Sequence, residues 1–115
     1  MTVQRIDPGT RMTQAVVNGN TVYLAGLVAD DTSQDVKGQT KQILAKIDAL
    51  LKKAGTDKSK LLTTTIYLTD MKTFPEMNAA WDAWVSPGNT PARATVEVQL
   101  AAPKYNVEIM VTAAK

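Results

Sequence analysis

The chain of 115 residues contains no cysteine and no histidine. Without cysteine there is no disulfide framework, no thiolate nucleophile and no cysteine-ligated metal site. Without histidine, Ser-His-Asp triads, the common catalytic zinc sets and the usual general base near neutrality are removed. Chemistry here falls to Arg, Lys, Asp, Glu, Tyr, backbone dipoles and water. Neither sign of charge dominates: thirteen Lys and Arg against eleven Asp and Glu leave a net +2. That is too mild for the concentrated basic face expected of a nucleic-acid or membrane partner. No run approaches the ~20 apolar residues of a membrane span, and Met1-Thr2-Val3-Gln4-Arg5 lacks an apolar signal core. The expected location is cytoplasmic. Gly26 and Gly55 belong to no GxGxxG or Walker pattern. Asp30, Asp31 and Asp35 lack the spacing of an EF-hand and read as a solvated loop. We expect no cofactor and no metal.

What is present suits one folded domain over residues 1–115, with 44% hydrophobic and 21% charged residues. Arg11 to Val17 and Thr21 to Leu24 read as strands around Asn18-Gly19-Asn20, where Asn-Gly suits a tight hairpin because both residues tolerate positive φ. A shorter strand over Val3 to Ile6, closed by Asp7-Pro8-Gly9, has a weaker signal. Ile43, Ile47, Leu50, Leu51 and Ala54 recur at helical spacing and predict an amphipathic helix from Val36 to Ala54. Asp35 is its expected N-cap, with Lys52 and Lys53 at the C-terminal end and Gly55 after it. Leu61 to Leu68 is β-branched and reads as a strand. A second helix starts at Thr73, whose spacing to Glu76 predicts a capping box, with Pro75 in the first turn and Ser86-Pro87-Gly88-Asn89 as the stop. Strands over Ala92 to Leu100 and Asn106 to Ala113 close the chain.

This order predicts an α+β fold, a mixed sheet of five or six strands with both helices on one face. Ala94, Val96 and Val98 alternate with Arg93, Thr95 and Glu97, as Val107, Ile109 and Val111 alternate with Glu108, Met110 and Thr112. We expect the polar sets, with Thr63, Thr65 and Tyr67, on the face the helices leave uncovered. That surface is too mixed for a solvent-facing sheet and suits burial against other subunits.

Arg93 is the first candidate for function. It is the only arginine after residue 11, and a planar guanidinium is the group of choice for bidentate binding of a carboxylate. The plainer alternative is an exposed strand arginine paired with Glu97 or Glu108. Those two glutamates also admit an acid–base reading, which ordinary cross-strand pairing outweighs. Trp81 and Trp84 lie at helical spacing with Met77 and Val85, so core or subunit contact is favoured over a stacking platform.

Taken in order, Val17-Asn18-Gly19-Asn20-Thr21-Val22-Tyr23-Leu24-Ala25-Gly26, the helix with Gln39-Thr40 and Ile47, Asn78-Ala79-Ala80-Trp81, Pro91-Ala92-Arg93-Ala94-Thr95-Val96-Glu97-Val98 and Val107-Glu108-Ile109 resemble the RidA/YjgF family across nearly the whole chain. These are reactive-intermediate deaminases, also called RutC-like or endoribonuclease L-PSP domains. The resemblance implies a chorismate-mutase-like fold and a homotrimeric barrel with clefts at subunit interfaces. It implies hydrolysis of enamine and imine intermediates, such as 2-iminobutanoate and 2-iminopropanoate, to 2-oxo acids and ammonia. On it, Arg93 matches the arginine that binds the substrate carboxylate and Thr95 sits where a small polar residue or cysteine adds backbone contacts. Gly26, with Ala25 beside it, matches the cleft wall, and Asn78 matches a helix asparagine near the site.

Two positions depart from the family. Met110 stands where active members carry a glutamate that orients water or shuttles a proton, and Met12 where a tyrosine closes over the ligand. Thioethers can be neither acid nor base. The expected result is a deaminase with attenuated proton transfer and a preference for hydrophobic imino acids. The alternatives are a non-catalytic carboxylate-binding trimer acting as sensor or chaperone-like partner and, with less support, a ribonuclease.

Overall fold

The computed structural model describes residues 2–115. Its strands are β1 (Val3–Pro8), β2 (Thr13–Asn18), β3 (Thr21–Leu24), β4 (Leu61–Leu68), β5 (Ala92–Glu97) and β6 (Val107–Ala114); its helices are α1 (Val36–Lys53) and α2 (Phe74–Trp84). They form one mixed sheet in the order β1-β2-β3-β6-β4-β5, antiparallel except for the parallel pair β4–β5. Both helices cover one face of it. The expected α+β architecture is the observed one, and β1 is a full strand.

Local chemistry explains most boundaries. The Asp35 carboxylate caps α1 by accepting the Gly38 N–H at 2.8 Å. At the other end Gly55 takes φ +83 and its N–H reaches the Lys52 carbonyl, while Thr56 N–H reaches that of Leu51. These two bonds form a Schellman termination, which needs a left-handed residue where glycine stands. The hairpin between β2 and β3 differs in detail from expectation. Asn18 still pairs with Thr21, so the turn residues are Gly19 and Asn20, and only Gly19 has positive φ. Glycine at the first central position is the II′ pattern, not the I′ form an Asn-Gly turn would give. The capping box at α2 is also not made. Thr73 caps nothing with its side chain, and its hydroxyl donates instead to the Asp70 carbonyl at 2.6 Å. A preceding 3-10 turn over Met71–Thr73 already orders that entry.

The core lies between sheet and helices. Ile43, Leu44, Ile47 and Leu51 of α1 and Met77 of α2 pack on Val22, Ile66, Leu68, Val107, Ile109 and Val111. Gln39 is buried among them without cost, because its amide is satisfied. It donates to the carbonyls of Gln34 and Lys104 and accepts the Asn106 N–H at 3.1 Å, tying the β5–β6 loop to α1.

One strand faces the other way from expectation. In the parallel register Thr64 pairs with Arg93, Ile66 with Thr95 and Leu68 with Glu97. Paired residues share a face, so Arg93, Thr95 and Glu97 lie on the helix side. Ala94 and Val96 point outward beside Thr65 and Tyr67. β6 behaves as expected: Val107, Ile109 and Val111 are buried, while Glu108, Met110 and Thr112 face out. The uncovered face therefore carries large exposed side chains, Tyr23, Val96 and Met110 among them.

Candidate functional site

The segment Ser86–Pro91 leaves α2 and delivers the chain to β5, the free edge of the sheet. Arg93, the second residue of β5, projects under α2. Its guanidinium carbon lies 5.4 Å from the centre of the Trp81 ring and 5.8 Å from that of Phe74. Both distances are within cation–π range, an attraction that does not use the N–H donors of the guanidinium. Trp81 is buried and is itself held by Trp84, whose ring centre is 5.4 Å away and whose Nε1 donates to Asp48 of α1 at 2.9 Å. The tryptophans are thus core residues, as expected, but Trp81 is also the shelf on which Arg93 rests.

Neither expected partner pairs with Arg93. Glu97 accepts the Met71 N–H at 2.7 Å, which anchors the turn before α2. Glu108 lies on the opposite face. The ion pairs among the described residues are Lys46–Asp30 and Lys53–Asp7. Arg93 therefore holds its fork without a carboxylate partner among the described residues. Because β4 separates β5 from β6 and the two glutamates face apart, a Glu97–Glu108 acid–base pair within one chain is also ruled out.

A hollow of about 330 Å³ opens beside Arg93, lined by Asn78, Trp81, Asp82, Thr90 and Pro91 as well. Asn78 and Asp82 are four residues apart on α2 and so share a face. The Oδ1 atom of Asn78 and the hydroxyls of Thr95 and Thr64 are buried with no hydrogen-bond partner among the described residues. Unsatisfied polar atoms are uncommon in a folded interior. Of these three, Asn78 lines the hollow with Arg93, Thr64 is the register partner of Arg93 on β4, and Thr95 follows it on the same face of β5. Two of the three, Asn78 and Thr95, were expected at the site. Phe74 and Asp82 were not, although the spacing 74, 78, 81 and 82 on one helix carries the signal. A larger hollow of about 450 Å³ lies at the far end of β5. Its one charged residue, Glu97, is already engaged.

Of the remaining expected residues, Gly26 and Met110 lie on the open face. Gly26 follows β3, and a Cβ there would sit 2.5 Å from Oε2 of Glu108. The missing side chain is what lets that carboxylate lie against the backbone. Met110 is two residues along β6 on the same face, and 41% exposed. Ala25 is held by its N–H to the Gln14 carbonyl, and Met12, two residues before Gln14, is exposed. Within one chain the expected site residues therefore divide into Arg93, Thr95 and Asn78 on the helix side and Gly26 and Met110 on the other, with Ala25 packed partly buried against the core and Met12 exposed before β2. The aspartates of the polar loop are accounted for locally. Asp30 pairs with Lys46, Asp35 caps α1, and Asp31 accepts the Ser33 hydroxyl and N–H, which lowers its pKa.

A family model described as endoribonuclease L-PSP matches residues 2–115. The chain belongs to the RutC/YjgF family. RutC family protein YoaB of Escherichia coli strain K12 is 46% identical over 114 residues, covering 99% of each chain. Among solved structures, NMB1025 of Neisseria meningitidis, a YjgF family member, superposes with a TM-score of 0.97 at 42% identity, covering 100% of this chain and 96% of its own. YyfA of Yersinia pestis, from the conserved Rid protein family, gives 0.85 at 32% identity, covering 94% and 90%. The YjgF fold accounts for the arrangement above: one sheet, two helices on one face and an edge strand carrying Arg93. Among the described residues no helix of this RutC family chain is long and apolar enough to cross a membrane.

Proposed function

We propose that the chain is an enamine/imine deaminase that hydrolyses reactive 2-imino acids to 2-oxo acids and ammonia. The observation that carries the reading is Arg93, a guanidinium within cation–π distance of two aromatic rings, unpaired with any carboxylate of the described residues and beside the unsatisfied Asn78 carbonyl oxygen of the same hollow. A fork so placed fits a substrate carboxylate bidentately. Holding that carboxylate draws electron density from the adjacent C=N carbon. Water adds there to give a carbinolamine; its nitrogen takes a proton, its hydroxyl gives one up, and the C–N bond breaks as the C=O forms, releasing ammonia and leaving the 2-oxo acid.

The division of the site residues between two sheet faces supports a cleft shared by copies of the chain, in a homotrimer. One copy's Arg93, Asn78 and Thr95 would meet the Gly26 and Met110 face of the next across the free edge of β5. The exposed apolar trio Tyr23, Val96 and Met110 is suited to burial in such an assembly. Met110 cannot move protons. The carboxylate left near the Gly26 wall is that of Glu108, so water positioning falls to Glu108 and the backbone. A well-placed proton-transfer group is worth ~10²–10⁴-fold, and the deficit is expected on that scale. The apolar wall favours aliphatic side chains at ~0.8 kcal/mol per buried methylene.

Calorimetric titration of 2-oxobutyrate into wild type and Arg93→Ala tests the binding half. The variant should lose ~2–5 kcal/mol while remaining folded, and Arg93→Lys should also be impaired. Equal affinities would sink the reading. The catalytic half is tested by following imine decay behind an amino-acid oxidase. Faster decay of leucine or methionine imines supports the deaminase. Decay at background for every imine, with 2-oxo acid binding intact, favours the sensor instead. Sedimentation equilibrium should give three times the chain mass, and a monomer at micromolar concentration would remove the shared cleft.

A further inference from the structure

The hollow beside Arg93 carries opposite charges that do not neutralise each other. Arg93 is the one cation in its lining and Asp82 the one anion, and no ion pair joins them. Asp82 is exposed and sits in the last turn of α2, which contains no basic residue. The carbonyl end of a helix carries partial negative charge, ordinarily offset by Lys or Arg there, as Lys52 and Lys53 do for α1. On α2 the last carbonyl, that of Trp84, is instead met by the Lys58 ammonium from outside the helix, so the negative charge at the rim of the hollow is that of Asp82. A ligand whose carboxylate lies on Arg93 therefore extends toward a negative rim.

We propose that Asp82 is a specificity-determining residue that makes the site select monocarboxylates with neutral or cationic tails and reject dicarboxylates. This rests on the reading of Arg93 as the carboxylate anchor. A second carboxylate meets like charge from Asp82, with no second cation in the lining to receive it. Rejecting the wrong ligand by a repulsive element is a common way to build specificity when the attractive contact is shared by all candidates. The same rim suits the cationic nitrogen of a protonated imine, so the arrangement does not oppose the proposed substrates.

The probes are 2-oxobutyrate and 2-oxoglutarate, titrated into wild type, Asp82→Asn and Asp82→Lys. Wild type should prefer 2-oxobutyrate. Removing one charge from a partly solvated hollow should shrink that preference by about 3- to 10-fold. Both acids should bind Asp82→Asn more tightly, the dianion by the larger factor, and Asp82→Lys should reverse the order. Asp82 is exposed, so melting temperatures of the variants should stay close to that of wild type. An unchanged ratio in both variants, or equal gains for both acids, would overturn the inference while leaving Arg93 as the anchor. Failure of wild type to bind either acid would overturn the anchor, and the inference with it.

Discussion

β5 and β6 flank the same strand, β4, and carry similar alternations of apolar and polar residues, yet they present them oppositely. β6 turns Val107, Ile109 and Val111 under the helices, where all three are buried, and sets Glu108 and Met110 outside. β5 turns Arg93 and Thr95 under α2 and sets Ala94 and Val96 outside. The difference follows from position. β6 is interior, with strands on both sides and α1 above it, so only apolar residues fit its covered face. β5 is an edge strand beneath the shorter helix, where the space beside it stays open and aromatic rings can hold a cation. In this sheet the apolar alternation thus marks the core face of interior β6 but not of β5 at the edge.

The largest expected effect tests the two outcomes directly. Ile109→Ala should cost ~2–5 kcal/mol by urea unfolding, as deletions from a packed core do. Val96→Ala should cost less, and its cost should grow with protein concentration if that face is shared between copies. A concentration-independent loss equal to that at Ile109 would mean that Val96 belongs to the chain's own core. The next effect sharpens what lies beneath β5. Trp81→Leu should weaken 2-oxobutyrate binding by ~0.5–2 kcal/mol through the lost cation–π contact. Trp81→Phe should keep most of the affinity although it shortens the side chain. If both variants lose affinity in proportion to their loss of stability, Trp81 is packing alone.

The smallest effect lies away from both strands. Asp57 accepts the Ser59 hydroxyl and N–H, and these bonds hold its pKa below the ordinary aspartate value. A pKa lowered on folding adds stability that is complete above the unfolded value and is lost as pH falls through the folded one. In Ser59→Ala, the Asp57 carboxyl should titrate closer to the ordinary value by NMR. The melting temperature should then fall less steeply on acidification, with ligand binding untouched.

Much of the site was legible in residue types. Arg93 stands out as a lone arginine in a lysine-using stretch; the structure sets Asn78 in the same hollow and Thr95 on the same face of β5. Its partners were not legible, because Glu97, two turns of the pleat away and on the same face, is a natural ion-pair candidate until the Met71 N–H is seen to occupy it. Asp82 was hidden for a related reason. An exposed helix aspartate has no distinguishing signal until the fold shows that the chain returns beneath it.

The sequence by itself determined the elements and their class. Helical and alternating periodicity, Asp35, Gly55 and the β-branched run of β4 depend on neighbours within a few residues, and local sterics and hydrogen bonds act at that range. It also determined what chemistry is excluded, since side chains that are absent cannot be supplied by folding. Only the tertiary structure decided which way β5 faces, that Gly19 alone carries the hairpin's positive φ, and that the expected site residues divide between two faces of the sheet. Those outcomes turn on register with β4, on the covering by α2 and on the free edge beyond β5, which bring together residues far apart in the chain.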